Sequence, residues 1–287
     1  MHDYLKSIGF RGIDNDDYRM VLHDIVAHPD EQLISDIELG EERIEYRKEY
    51  AFNMGIAVSG YLDEEDGFVK EFSYPYFTGE HVSENENIKL EKLTDRDAYY
   101  GLIEDNSLGI DLIFYDQDAI SEIQGFDFNK KIQKTPVRLS GLAESGKILL
   151  PLTVEKKPEI NEGIQQKKKE LYEGWRNGDA DAIEELQNQE IEAYGVISER
   201  IKSEDVMTIV SNYIMPVGIE CDKYGILGDI ESHEVYINKA TRQMVHILAV
   251  RCSDMVIDIC INDKDLKGEI KVNRRFKGDI WLQGKIM

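Results

Sequence analysis

Two pairs of aspartates follow apolar stretches of this sequence at a spacing that suits a divalent metal ion. Asp116 and Asp118 come directly after the run GIDLIFY. Asp263 and Asp265 come directly after VIDICIN. Carboxylate oxygens are the ligands that Mg²⁺ and Mn²⁺ prefer, and two carboxylates that are two residues apart can approach one ion from the same side. The four aspartates are therefore candidate ligands of a divalent-metal-dependent transferase or hydrolase.

Background frequency weakens this metal hypothesis. The Asp-x-Asp spacing also occurs at residues 14/16, 95/97 and 179/181, as expected of an aspartate-rich chain. Asp111 cannot join Asp116 at one ion, because on a regular strand the two would lie about 16 Å apart on opposite faces. A sugar-nucleotide transferase also needs a parallel α/β layer before the motif, whereas hairpin-linked antiparallel strands are predicted here. Asp118 as the N-cap of a short helix is the structural alternative, and no metal or organic cofactor is expected.

The segment Gly141–Ile148, GLAESGKI, has the G-x-x-x-x-G-K spacing of a phosphate-binding loop. Such a loop needs Ser or Thr after the lysine and a helix whose N-terminus faces the phosphates. Ile148 replaces the hydroxyl, and Pro151 follows in an apolar run that does not favour a helix. We therefore interpret this segment as the turn of a hairpin. None of the six histidines has metal-ligand spacing, and no serine or cysteine nucleophile motif is present.

Tyrosine is the unusual component, with 15 residues in the chain. The candidate ligand-binding tyrosines are Tyr74, Tyr76, Tyr99 and Tyr100, which fall in predicted strands. Tyrosines on one face of a sheet give a large contact area with polar tips. They are also typical of half-buried strands, and this structural alternative stays open.

The elements that must position these residues follow from the spacing of apolar residues. Helical spacing predicts helices over residues 1–10 and 17–37, from 179 to 201 and from 203 onward. Alternation predicts strands at 44–58, 68–76, 99–103 and 109–115, a hairpin over 136–152, and strands for most of the chain after 219. The polar stretch VEKKPEINEG at 154–163 is the best candidate linker.

This order of elements predicts an α+β fold with two units, at residues 1–152 and 159–287. Each unit would pack N-terminal helices on a mainly antiparallel sheet. An internal duplication is a further hypothesis, because YGLIED at 100–105 resembles YGILGD at 224–229, and the aspartate pattern of 110–118 recurs at 257–265.

Charge restricts the classes of partner. The net charge of −23 repels nucleic acids and anionic membranes, so neither is expected as a partner. No apolar run is long enough for a membrane span, and the first residues do not form a secretory signal. The three cysteines have no C-x-x-C spacing, so they predict neither a zinc site nor a disulfide framework. These features predict a cytoplasmic protein with reduced thiols. An unknown protein or a small molecule is the expected partner, and a homodimer through the tyrosine-rich face is possible.

The start MHDYLKSIGF and the block Val196–Ile230, which contains IMPVGIECD, resemble an uncharacterised family of bacterial proteins from Firmicutes. The resemblance extends over the whole chain and implies a cytoplasmic bacterial protein with a domain of unknown function. It supplies no catalytic or binding residues. We therefore expect a non-enzymatic binding or regulatory protein, with the metal-dependent enzyme at Asp116/Asp118 or Asp263/Asp265 as the alternative.

Overall fold

The computed structural model describes residues 2–36, 42–63, 67–92, 99–105, 110–118, 131–151, 211–218, 222–253 and 255–287. In chain order the elements are a 3₁₀ helix at Asp3–Ile8, α1 at Asn15–Ala27, β1 at Glu31–Asp36, β2 at Glu42–Ala51, β3 at Met54–Asp63, β4 at Gly67–Phe77, β5 at Ser83–Lys92, β6 at Tyr99–Asp105, β7 at Ile110–Asp116, β8 at Lys131–Leu149, β9 at Tyr213–Pro216, β10 at Lys223–Ile237, β11 at Met244–Cys252, β12 at Met255–Asn262, a 3₁₀ turn at Asp263–Asp265, β13 at Leu266–Lys267 and β14 at Arg275–Ile286. Strands therefore dominate the part of the chain that the structure describes.

The helix α1 begins two residues before the predicted start at 17, and Asp14 caps it. The Asp14 carboxylate accepts hydrogen bonds from the amides of Asp16 and Asp17 at 3.0 and 2.8 Å, which satisfies two of the free N–H groups at the helix start. The helix buries Tyr18 and Ile25 on one face. It therefore lies along the protein with one apolar face inward and a charged face outward.

Strands β1 to β4 form a four-stranded antiparallel sheet in sequence order. The predicted single strand at 44–58 is two strands, β2 and β3, because the chain turns at Phe52 and Asn53, where Asn53 has a φ of 54°. A two-residue turn preserves the alternation of side chains. The apolar period of two residues therefore continues across the turn and does not reveal it.

The remaining strands form a ten-stranded mixed sheet that contains two closed rings. One ring pairs β10, β11, β12, β8 and β14 in that order and returns to β10. The other pairs β8, β5, β6, β7 and β14 and returns to β8. The long antiparallel pair β8–β14 belongs to both rings, and β13 adds to β8 in parallel. Ring closure pairs strand edges that would otherwise be exposed.

Two hydrophobic clusters stabilise this arrangement. One joins the N-terminal helices and the four-stranded sheet to the ten-stranded sheet, through residues such as Ile8, Ile56 and Trp281. The other is built from strands of the ten-stranded sheet alone, with Phe114 and Phe276 among its fully buried members. Burial of apolar surface is the main favourable term in folding, so these clusters hold the rings in register.

The predicted α+β class is wrong, because the structure is mostly β. In the predicted helix 17–37, Pro29 ends the helical part and residues 31–36 form β1 at a sheet edge. The helices predicted from residues 179 and 203 lie outside the described residues. The 1–152 and 159–287 division stays a prediction, although strands from both ranges pair in each ring.

The internal repeat is not supported either. YGLIED lies on β6, the second strand of its three-stranded meander, whereas YGILGD lies on β10, the first strand of the other meander. The YGLIED and YGILGD segments therefore do not occupy corresponding strands.

No helix in the described parts of the chain is long and apolar enough to cross a membrane.

Candidate functional site

The sequence candidates Asp116, Asp118, Tyr74 and Tyr76 lie around one buried arginine. The Arg47 side chain is at the contact between the two sheets, and the residue is 6% exposed. Its guanidinium donates hydrogen bonds to Glu45 Oε1 at 2.7 Å, to Asp118 Oδ1 at 3.1 Å and to the carbonyl of Gln117. Burial lowers the pKa of the guanidinium, but Tyr74, Glu45 and Asp118 raise it by more, so Arg47 is charged.

The candidate tyrosines line the inner side of this arginine cluster. The Tyr74 hydroxyl is 3.1 Å from both carboxylate oxygens of Glu45, and burial together with that carboxylate raises the pKa of Tyr74. The ring of Tyr76 lies 5.7 Å from the guanidinium carbon of Arg47. Tyr100 is partly buried, and the Tyr99 side chain is outside the described residues. Tyr74 is therefore in the core, Tyr76 and Tyr100 pack against it, and the ligand-binding role of the four tyrosines stays a prediction.

Asp118 has two cationic partners. Arg47 contacts its Oδ1, and the Nζ of Lys285 lies 2.7 Å from its Oδ2. The Asp118 amide donates to Asp116 Oδ1 at 3.2 Å, which shapes the turn after β7. A metal ion at this position would have to displace both cations. The proposed helix cap role concerns residues after 118 and lies outside the described part of the chain.

Asp263 and Asp265 lie at the two ends of the 3₁₀ turn after β12 and make different contacts. Asp263 Oδ1 is 2.9 Å from His246 Nε2, and His246 Nδ1 is 2.9 Å from His233 Nε2. Asp265 Oδ1 accepts a hydrogen bond from Arg11 Nε at 3.0 Å. Within the described residues no group of three or more His, Cys, Asp or Glu side chains is placed to hold a metal. Metal binding at the four aspartates stays an untested hypothesis.

A cleft of about 380 Å³ lies beside Asp265. Its lining consists of Ser145, Gly146, Lys147, Leu149, Tyr213, Asp265, Lys267, Lys277, Gly278 and Asp279. Three lysines from three strands therefore face one small volume. Among the described residues, the lining contains no histidine or cysteine, the side chains that most often act as general base or nucleophile.

The three lysines form a single row across neighbouring strands. Lys147 on β8 is directly opposite Lys277 on β14 and directly opposite Lys267 on β13. Residues directly opposite each other point to the same face of a sheet, with neighbouring strands about 4.8 Å apart. The row therefore spans about 10 Å, twice the strand spacing. We call these three residues the lysine row.

The lysine row is unfavourable by itself. Like charges directly opposite each other on a sheet destabilise it. The Lys147 and Lys267 side chains are exposed and make no hydrogen bond or ion pair with any described residue. Two carboxylates, Asp265 and Asp279, lie in the same lining but neither forms an ion pair with the lysines within 4.0 Å. An anion bound against the row would remove the repulsion.

The position of Lys147 explains the segment that resembles a phosphate-binding loop. We predicted a hairpin turn for GLAESGKI, but the segment forms the C-terminal half of the continuous strand β8. Gly146 is directly opposite Gly278, and a Cβ on Gly146 would lie 2.4 Å from the Phe276 ring. The inner face of β8 thus requires glycine there, and alternation directs Ser145 and Lys147 outward into the cleft.

Sequence reasoning missed this site. Lys147 was noticed only as part of a loop motif that the chain does not form. Lys277 belongs to the locally basic segment KVNRRFKGDIWLQGK at 271–285, but this signal does not point to Lys147 or Lys267. The strands of Lys267 and Lys277 reach β8 only through the pairings of the ten-stranded sheet.

Comparison with protein families adds one finding. A family model described as "Domain of unknown function, E. rectale Gene description (DUF3881)" matches residues 5–284. Comparisons with curated proteins and with solved structures gave no match. The predicted resemblance to an uncharacterised family is confirmed. Because the match covers nearly all of its length, this chain belongs to the DUF3881 family, a domain of unknown function.

Proposed function

We propose that this protein is a non-enzymatic binding protein whose ligand is a small phosphate-bearing anion held in the cleft by the lysine row. The observation that carries the proposal is the register of Lys147 with both Lys267 and Lys277. The ammonium groups of lysine donate N–H hydrogen bonds and accept none, so a face that carries them suits a phosphate and does not suit a cation.

The electrostatic setting supports a specific site. The chain as a whole carries a net charge of −23, so a free anion meets repulsion over most of the surface. Lys147 and Lys267 are directly opposite each other, which is unfavourable for two like charges, and an anion bound in the cleft would relieve that repulsion. The cleft volume of about 380 Å³ is at the small end of ligand sites, which favours a metabolite over a macromolecule.

Binding without turnover is proposed because the lining residues that the structure describes are lysines, two carboxylates, a serine, a tyrosine and apolar or glycine residues, with no assembled nucleophile and base among them. We place the protein in the cytoplasm. The two described cysteines, Cys252 and Cys260, are buried free thiols, which is compatible with a reducing compartment.

Thermal unfolding in low-salt buffer tests the proposal, with inorganic phosphate and pyrophosphate as probes. A ligand that binds only the folded state stabilises it by about 2.7 kcal/mol at a concentration 100 times its Kd, so the melting temperature rises with probe concentration. We expect Lys147→Gln to remove this rise. Lys239→Gln is the matched control, because Lys239 is an exposed lysine in the turn between β10 and β11, away from the cleft lining.

Isothermal titration calorimetry with the same two variants gives the binding constants directly. The proposal is rejected if the native protein shows no phosphate-dependent stabilisation. It is also rejected if Lys147→Gln and Lys239→Gln respond alike, because general charge and not the lysine row would then explain the binding.

A further inference from the structure

The cleft is chemically divided along the direction of its strands. One end carries the lysine row. Two residues farther along the same strands, Asp279 on β14 is directly opposite Ser145 on β8. Two residues on a strand extend about 7 Å, and side chains two apart point to the same face. A cationic row and an acceptor-bearing row therefore lie side by side on the cleft surface.

The second row offers unused hydrogen-bonding groups. The side chains of Asp279 and Ser145 are exposed and make no hydrogen bond or ion pair with any described residue. An ionised carboxylate only accepts hydrogen bonds, and a serine hydroxyl both donates and accepts. A bare phosphate gains nothing from Asp279, because two anions repel. The carboxylate suits a ligand that presents O–H or N–H groups beside its anionic group.

Tyr213 on β9 completes the lining. It is partly exposed, so its ring supplies an apolar face with a polar tip at the border of the cleft. Carboxylate, hydroxyl and aromatic ring together match the alternating hydroxyl and C–H groups of a carbohydrate or polyol. A small anion without hydroxyl groups would make no contact with Asp279, Ser145 and Tyr213.

We propose that the ligand is a phosphate monoester of a sugar or polyol. Its phosphate contacts the lysine row, and its hydroxyl groups donate to Asp279 and exchange hydrogen bonds with Ser145. This inference rests on the proposed function, since it assumes that the lysine row holds the phosphate. It adds the chemical class of the rest of the ligand and gives Asp279 a role in specificity.

Calorimetric titration of the full-length protein with five probes tests the inference. The probes are inorganic phosphate, glycerol 3-phosphate, glucose 6-phosphate, glucose and phosphoserine, all at one pH and low ionic strength. Hydrogen bonds to a charged group typically change affinity by roughly 10- to 100-fold. We therefore expect glucose 6-phosphate or glycerol 3-phosphate to bind at least about 10-fold more tightly than inorganic phosphate, and glucose alone not to bind.

Asp279→Ala separates the two halves of the cleft. We expect this variant to bind inorganic phosphate as tightly as the native protein or more tightly, because an anion has been removed. Its preference for the sugar or polyol phosphate over inorganic phosphate should fall towards 1. Asp16→Ala is the control, because Asp16 is an exposed aspartate in the first turn of α1. Lys147→Gln should instead weaken all phosphate probes together.

The outcomes distinguish this inference from the proposed function. If inorganic phosphate binds but neither the sugar nor the polyol phosphate binds more tightly, the ligand class is wrong and the phosphate site remains. If phosphoserine binds more tightly than both, Asp279 receives an ammonium group and the hydroxyl assignment is overturned. If no phosphate probe binds, both proposals fail.

Discussion

Replacing Lys147 by glutamine should stabilise the ligand-free protein, which is unusual for loss of a binding residue. Lys147 is the middle member of the lysine row, directly opposite Lys277 on one side and Lys267 on the other. Cross-strand pairs contribute about 0.2–1 kcal/mol each, and like charges reverse the sign. Removing two unfavourable pairs should therefore raise the free energy of unfolding by roughly 0.4–2 kcal/mol. Glutamine keeps most of the side-chain length, so the change is mainly electrostatic.

Equilibrium unfolding in urea measures this effect without added salt, and a parallel series in 1 M NaCl tests its origin. At 1 M salt the screening length is about 3 Å, less than the distance of about 5 Å between opposed Cβ atoms, so the gain should largely disappear. Lys267→Gln should give about half the gain, because Lys267 at the end of the row has one opposed lysine. A lower stability for Lys147→Gln than for the Lys239→Gln control at low salt would refute the reasoning.

Three further predictions concern the core and the titrating groups. Arg47→Met should cost about 3–5 kcal/mol in chemical denaturation, because it leaves the buried Glu45 carboxylate without its cation. Arg19→Met on the helix surface should change stability by less than about 1 kcal/mol. Burial and then a neighbouring histidine lower the pKa of His233, so the unfolded chain binds the proton more readily. Stability should thus fall as the pH drops below about 6.5, and His233→Gln should flatten that part of the profile. Gly146→Ala should lower the free energy of unfolding by about 1–3 kcal/mol, because the new Cβ would lie 2.4 Å from the Phe276 ring. Phe276→Leu should destabilise the Gly146→Ala variant less than it destabilises the native protein, and additive losses would contradict the proposed steric conflict.

Local sequence patterns predicted several elements correctly. The helical spacing predicted over residues 17–37 matches α1 as far as Ala27, and the alternation of residues 68–76 matches β4. Strands β6 and β7 lie where YYGLI and GIDLIFY predicted them. These predictions succeeded because the spacing of apolar side chains along a helix or a strand depends on neighbours within a few residues.

Predictions that depended on distant partners failed. The run 136–152 contains small residues that resemble a turn, yet it forms part of one strand because β14 pairs along it from Val137 to Leu149. Gly146 is glycine to admit the Phe276 ring and not to turn the chain. The prediction of an α+β fold was wrong for a related reason. It was based on local helical patterns, whereas the fold is defined by two rings of strands that share β8 and β14.

The sequence by itself determined the acidic character of the protein, the strands in its last part, from β10 to β14, and its family resemblance, and it carries no complete catalytic motif. Only the tertiary structure decided where the chemistry lies. It buried Tyr74 and Asp118 around Arg47, and it brought Lys147, Lys267 and Lys277 into one row. The physical reason is that a row across strands is defined by register. Register is fixed by the packing of the whole sheet. Lys147 and Lys267 are 120 residues apart along the chain, and their separation in sequence does not show that they are neighbours.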